Sequence, residues 1–192
     1  MTTSVQPRPA ATRPRPLAGR ARKIWLTAHI GFSVGWLGAA SCMLVLGATG
    51  LLSGDLPLRI AAYRLMHLFD EAVNIPLGLS MLVTGLVLSL RTRWGLVRHR
   101  WVLTKFVAGT LTLIVAPVVS VPRVEAAVVG LRAGTDLGAL PLEIVSVSVA
   151  VVTTLTALTV VSVFKPWGPT RWAARGRRME DHRLPRGMLR RP

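Results

Sequence analysis

The chain has 192 residues, of which 51% are hydrophobic and 17% charged, with a formal net charge of +16 at pH 7. Soluble domains carry about 25% charged residues, so this composition excludes most soluble domains of similar size. The charge alone would suggest a nucleic-acid partner, but attraction to anionic lipid headgroups explains basic loops and tails more simply. We therefore expect no nucleic-acid partner.

Four long apolar runs dominate the sequence, at residues 24–52, 65–90, 101–121 and 142–164. A helix needs ~20 apolar residues to cross the ~30 Å hydrocarbon core of a bilayer. The runs predict an all-α protein in which residues 22–165 form a bundle of four transmembrane helices. Residues 1–21 form a Pro- and Arg-rich tail that we expect to be disordered, and residues 166–192 form a second basic tail.

The first run carries small residues at regular spacing, namely Gly31, Gly35 and Gly38. Such residues let helix backbones approach closely in lipid, where packing drives association. This pattern predicts helix packing either within the chain or with a partner, which would be a second copy or another membrane protein. In the second case the chain would be a structural subunit of a membrane complex that packs through Gly31 and Gly35.

His29 also lies in the first run, four residues after Trp25, which is a candidate interfacial anchor. The count places His29 within ~10 Å of one membrane boundary. A lone histidine on a small-residue face is usually a packed, hydrogen-bonded side chain. It is also a candidate ligand for haem or a metal ion.

The second run predicts a helix from about Leu58 to Leu90, with a kink at Pro76, which cannot donate to the carbonyl of Ala72. Polar residues recur along this helix at spacings that place them on one stripe. The stripe consists of Tyr63, His67, Asp70, Glu71, Asn74 and Gly78.

Ionisable residues are costly in a bilayer, so His67, Asp70, Glu71 and Asn74 are candidate site residues. They could bind a divalent cation, relay protons or hold a polar headgroup. The alternative is a hydrogen-bonded network near the outer boundary that fixes helix packing. Counting ~20 residues back from Leu90 places this boundary near Asp70.

A b-type haem with two axial histidines needs both at one depth. His29 and His67 are predicted ~20 Å apart along the membrane normal, which argues against this pairing. Haem b with a single axial histidine, or a divalent metal, bound through His29, His67 or both, stays open as a cofactor.

The third run contains Pro117 and is expected to end near Pro122. Residues 124–131 are then expected to form a separate short amphipathic helix on the surface. The fourth run is expected to end at Lys165 and Pro166.

Basic residues are strongly asymmetric between the two sides of this bundle. Twenty Lys and Arg lie before the first run, around the loop between the second and third, and after the fourth, against four on the opposite side. Because Lys and Arg accumulate in cytoplasmic loops, both termini are predicted to be cytoplasmic. Lipid headgroups at these loops and tails are the expected partners.

No nucleophile–base, zinc-protease or phosphate-loop motif occurs in the sequence. The chain is therefore interpreted as an integral membrane protein of unknown role, more consistent with a non-enzymatic protein than with an enzyme.

Two segments resemble a known group of proteins. One runs from Lys23 to His29 and continues with Gly35, Trp36 and Gly38; the other runs from Trp94 and Gly95 through Arg100 to Lys105. Both are similar to uncharacterised four-helix bacterial integral membrane proteins. These in turn are distantly similar to copper-resistance-D-type membrane proteins, whose first helix also has a His before a Trp-x-Gly element. The resemblance implies a multi-pass protein of the bacterial cytoplasmic membrane, with redox or copper physiology that uses His29 for haem or metal.

Overall fold

The computed structural model describes residues 18–91 and 99–164, and all its regular structure there is helical. The helices are α1 (Gly19–Leu52), α2 (Leu56–Phe69), α3 (Ile75–Arg91), α4 (Arg100–Ala133) and α5 (Leu140–Phe164). A π-helical segment, Asp70–Asn74, joins α2 to α3 without a break. Three predictions concern residues outside these ranges. They are the disordered tails, most of the basic loop at 91–101, and the end of the fourth helix at Lys165.

The helices form an antiparallel bundle of four spans. The second span is α2, the π segment and α3 together, so that Leu56–Arg91 reads as one long helix. α1 packs against this span and against α5, and α4 packs against the same two neighbours. Sequential spans are therefore adjacent around the bundle, as in up-down-up-down topology. This confirms the predicted all-α bundle of four spans.

The outer surface of the bundle is apolar, and all four spans are long and apolar enough to cross a membrane. Large side chains point outward on each of them, such as Val34, Leu79, Val118 and Val163. A soluble protein rarely exposes apolar patches of this extent. Lipid is the medium that solvates such a surface, and the chain is a multi-pass membrane protein.

The second span departs from regular α-helix one turn before the position where a kink was predicted. Pro76 has no backbone N–H and its ring crowds the preceding turn. The backbone N–H of Ile75 donates to the carbonyl of Asp70, five residues back, so the turn before Pro76 is wide. Local widening of this kind is a known way for a helix to accommodate an interruption, and it often marks functional sites.

The predicted end of the third helix at Pro122 and the separate surface helix at 124–131 are wrong. α4 continues through Pro117 and Pro122 to Ala133 and ends where Gly134 adopts a left-handed φ of 68°. Prolines inside a bundle helix are tolerated when tertiary packing holds the helix. Here Val124, Ala127 and Leu131 supply that packing.

Two buried clusters fill the bundle. The larger one lies toward the end of the bundle at which residues 53–55 and 134–139 connect the helices, which we call the outer end. It contains residues of all four spans, namely Met43, Tyr63, Met66, Val124, Ala127, Leu131 and Ile144. The inner one is built on Trp36, Ala40 and Leu155. In the outer cluster the ring of Tyr63, which is fully buried, lies directly on Gly50 of α1.

We expect Gly50→Ala to destabilise the bundle by ~1–3 kcal/mol, the usual range for an overpacked core. A Cβ at Gly50 would fall inside contact distance of the Tyr63 ring, which is wedged between α1 and α2. Gly38→Ala is the matched control, because a Cβ there meets nothing within 4 Å. Thermal unfolding in mild detergent measures both; equal midpoints for the two variants would contradict the packing described here.

Candidate functional site

The polar residues of the second span separate into two groups. Tyr63, Asp70 and Asn74 are buried in the bundle, whereas the side chain of Glu71 is 66% exposed and that of His67 is half-buried. In a regular α-helix, positions that recur every four residues drift around the axis by ~40° at each step. Asp70, Asn74 and Gly78 all lie on the buried face, and the wide π turn reduces the drift between the first two of them.

The carboxylate of Asp70 is held by neutral donors from two helices. Its Oδ1 accepts from Nδ2 of Asn74 at 3.0 Å and its Oδ2 accepts from the hydroxyl of Ser120 on α4 at 3.1 Å. Asp70 is only 9% exposed. The ion pairs among the described residues involve Glu71, Glu125 and Glu143, but not Asp70. Asp70 thus has no ion-pair partner among the described residues, and the titratable group within electrostatic reach of it is His67.

The depth of Asp70 follows from the ion pair between Arg123 and Glu143, in which Nε lies 3.0 Å from Oε2. Ser120, which holds Asp70, precedes Arg123 by three residues, or ~4.5 Å along a helix. From Glu143 to Val163 the fifth helix covers ~30 Å, the thickness of the hydrocarbon core. With this ion pair taken as the level of the boundary, Asp70 lies roughly one helical turn inside it.

A cavity of about 50 Å³ adjoins this carboxylate. A volume of this order has room for one or two water molecules or for a small ion. Its polar lining comes from Asp70, Asn74, Thr112, Ser120 and Ser148, on three different spans, and apolar side chains, including Trp36, make up the rest. Ser120 and Ser148 were not identified from the sequence, where a serine in an apolar run is not distinctive.

Asn74 contributes an unsatisfied group at the cavity. Its Nδ2 is used by Asp70, but its Oδ1 is buried with no hydrogen-bond partner, and the residue is 8% exposed. A buried carbonyl oxygen without a donor costs ~1–3 kcal/mol. A water molecule or a cation in the adjacent cavity would satisfy it.

His67, expected to belong to the same stripe, instead bridges the outer parts of α2 and α4. Its Nε2 lies 3.2 Å from Oε1 of Glu125, and its Nδ1 lies 3.9 Å from Oε1 of Glu71. The two ring nitrogens face different carboxylates, so one ion cannot contact all three residues. Among residues 18–91 and 99–164, no group of three or more His, Cys, Asp or Glu is arranged to hold a metal ion.

His29 lies near the opposite, inner end of the bundle. Its Nδ1 is 3.1 Å from the carbonyl of Met81 and 3.1 Å from the hydroxyl of Thr84. Because a carbonyl only accepts, Nδ1 carries the proton, and Nε2 of the neutral ring is left with a free lone pair. The ring packs on Gly85, where an added Cβ would come within 3.0 Å of Cε1.

The small residues of α1 do not all face the same way. Gly35 packs on Leu77 of α3, whereas an added Cβ at Gly31 or at Gly38 would meet nothing within 4 Å. Gly35 therefore serves packing inside the chain. The use of Gly31 and Gly38 by a partner helix stays a prediction.

Comparison of the chain with protein-family models, with curated proteins and with solved structures finds no match in any of the three. The resemblance to copper-resistance-D-type proteins therefore stays a prediction.

We expect Ser120→Ala to destabilise the protein by ~1–3 kcal/mol, because it leaves one oxygen of the buried Asp70 carboxylate without a donor. Ser146→Ala is the control: that hydroxyl is exposed and donates only to Leu142 of its own helix, so its loss should change the unfolding free energy by less than ~0.5 kcal/mol. Unfolding of both variants by denaturant in detergent tests this, and an equal effect of the two would count against a special role for Ser120.

Proposed function

We propose that this membrane protein binds a small monovalent cation, in competition with a proton, at Asp70 and the adjoining cavity. The observation that carries the proposal is the buried carboxylate of Asp70, whose hydrogen-bond donors are both neutral and which lies within a membrane-spanning helix. We further propose that the protein is not an enzyme and acts in the movement or sensing of this cation.

Charge balance is the first argument. An ionised carboxylate without a positive partner in an apolar interior is too costly to persist, so the group is neutralised by a proton or by a bound cation. Both donors to Asp70 are neutral, an amide and a hydroxyl. Neither supplies a positive charge, and His67, which is within electrostatic reach of Asp70, is already paired with Glu125. The cavity is the space from which a cation would reach the carboxylate.

The chemistry of the donor atoms gives the class of cation. The polar lining offers carboxylate, amide and hydroxyl oxygens, which suit hard cations rather than soft transition metals. One carboxylate contributes one negative charge, so a monovalent ion leaves the site neutral. A divalent ion would leave it with an excess positive charge in an apolar bundle, which lipid strongly disfavours.

The bilayer in question is proposed to be the bacterial cytoplasmic membrane, with both termini inside. Support comes from the excess of Lys and Arg at one end of the bundle and from the resemblance described above. In this orientation Asp70 lies near the external side.

We expect a cation such as Na⁺, Li⁺ or K⁺ to raise the thermal midpoint of the purified protein relative to choline at equal ionic strength. At 100 times Kd the rise should be about 5–10 °C. A lower pH should weaken the effect, because the proton competes for Asp70. Asp70→Asn should abolish both the cation effect and its dependence on pH, since the amide carries no charge.

The control for this experiment is Glu71→Gln, which removes one negative charge from the neighbouring, exposed position. It should keep the full response. A wild-type protein indifferent to all three cations would leave Asp70 as a protonated structural residue and overturn the proposal. An equal loss in both variants would overturn the assignment to Asp70.

A second candidate function is the binding of haem or a metal through Nε2 of His29. The observation that favours it is the hydrogen bond from Nδ1 to the Met81 carbonyl, an arrangement that orients histidine ligands in metal sites. The described residues bring no second histidine to this ring, and Lys105 lies within electrostatic reach of it. The donor set therefore fits a single axial ligand to haem better than a divalent metal site.

If this second candidate is correct, protein expressed with ample haem should show a Soret band that His29→Ala removes. His67→Ala, at the other end of the bundle, should leave the band unchanged. A wild-type visible spectrum without a Soret band would rule out haem.

A further inference from the structure

Lys105 is a half-buried base on the inner part of α4 whose hydrogen bond crosses to α5. Its ammonium group donates to the hydroxyl of Ser162. The two residues are five positions after Arg100 and two before Phe164, the inner ends of their helices. At 1.5 Å per residue both lie within ~10 Å of these ends. The pair therefore lies within side-chain reach of the headgroup layer.

No carboxylate is available to this ammonium group in the described part of the chain. The acidic residues there all belong to the outer half of the bundle, namely Asp55, Asp70, Glu71, Glu125, Asp136 and Glu143. None of the ion pairs among residues 18–91 and 99–164 includes Lys105. The positive charge is consequently without a counter-charge from those residues.

Ser162 is the hydroxyl residue of α5 that contacts a charged side chain. Ser146, Ser148 and Thr159 each donate to a carbonyl one turn back in the helix. Ser162 accepts from Lys105 and makes no such backward bond within the described residues. Its own proton is free to be donated. The pair thus offers an ammonium group and a hydroxyl donor side by side, and both are suited to an oxyanion.

We propose that Lys105 and Ser162 form a binding site for a phosphate-bearing anion at the inner boundary of the membrane. An anionic phospholipid headgroup and a soluble phosphate present the same oxygens to this pair. Lys105 supplies the counter-charge, and the hydroxyl of Ser162 donates to a second oxygen. The site is independent of Asp70, which lies fourteen residues away along α5 at the level of Ser148, or ~20 Å along the membrane normal.

The experiment uses the full chain in nanodiscs of phosphatidylcholine, with and without phosphatidylglycerol, and in detergent with inorganic phosphate or chloride at equal ionic strength. Native mass spectrometry counts retained lipid, and thermal unfolding measures stabilisation. A rise in the midpoint with phosphatidylglycerol alone identifies the lipid headgroup as the ligand. A rise with inorganic phosphate identifies the soluble anion.

Lys105→Gln should weaken the binding of the effective anion by about fivefold, the effect of one basic residue at a membrane surface. Lys23→Gln, at an exposed residue near the inner end of α1, is the matched control for the general attraction of the basic surface, and should weaken binding less than Lys105→Gln because an exposed charge is screened by salt. Ser162→Ala should weaken binding while leaving the charge in place. Lys105→Arg keeps the positive charge and should still bind the anion. It serves as the test variant if Lys105→Gln fails to fold.

Two results would overturn the proposal. The first is a wild-type protein that responds to neither anion, which needs no variant to interpret. The second is a Lys105→Met variant that is more stable than the wild-type protein and retains as much phosphatidylglycerol. That outcome would make Lys105 a buried charge without a ligand, since well-packed apolar replacements of such charges are often stabilising.

Discussion

Each charge inside this bundle has to be balanced where it lies, because a surrounding of hydrocarbon offers neither water nor mobile ions. Asp70 is where this requirement is most evident. Its two oxygens tie the second span to α4 through Ser120 and to the following turn through Asn74. The carboxylate thus organises the polar interior of the outer half, while its own charge depends on something beyond the neutral groups that hold it.

The backbone around this carboxylate is shaped by a single imino acid. Pro76 removes one N–H from the second span, and the turn that precedes it widens into the π segment. Asp70 and Asn74, which both belong to this segment, lie on the buried face and line the cavity. His67 and Glu71 are left at the outer groove between α2 and α4.

Much of this architecture could be predicted from the sequence. The apolar runs gave the four spans, and a count of residues separated His29 from His67 in depth. The predicted stripe on the second span was too wide, because helical periodicity already rotates Glu71 ~60° away from Asn74 about the axis. The π turn itself could not be derived from that periodicity. Ser120 and Ser162 were likewise not predictable as partners, since only the pairing of α4 with α2 and α5 brings them to Asp70 and Lys105. The continuation of α4 beyond Pro122 depended on tertiary packing that a single-helix interpretation omits.

The shallow position of Asp70 has an electrical consequence. At the level of Ser148, five residues from the ion pair of Glu143, an ion bound at the proposed site would have crossed ~7.5 Å, about a quarter of the hydrocarbon core. Moving one charge across the whole membrane potential is worth ~2.3 kcal/mol per 100 mV. An ion that reached Asp70 from the external side would cross about a quarter of this potential, which is worth about 0.6 kcal/mol per 100 mV. Occupancy of the site would then change with voltage by less than threefold per 100 mV, and most of the membrane field falls across the apolar region between Asp70 and Lys105.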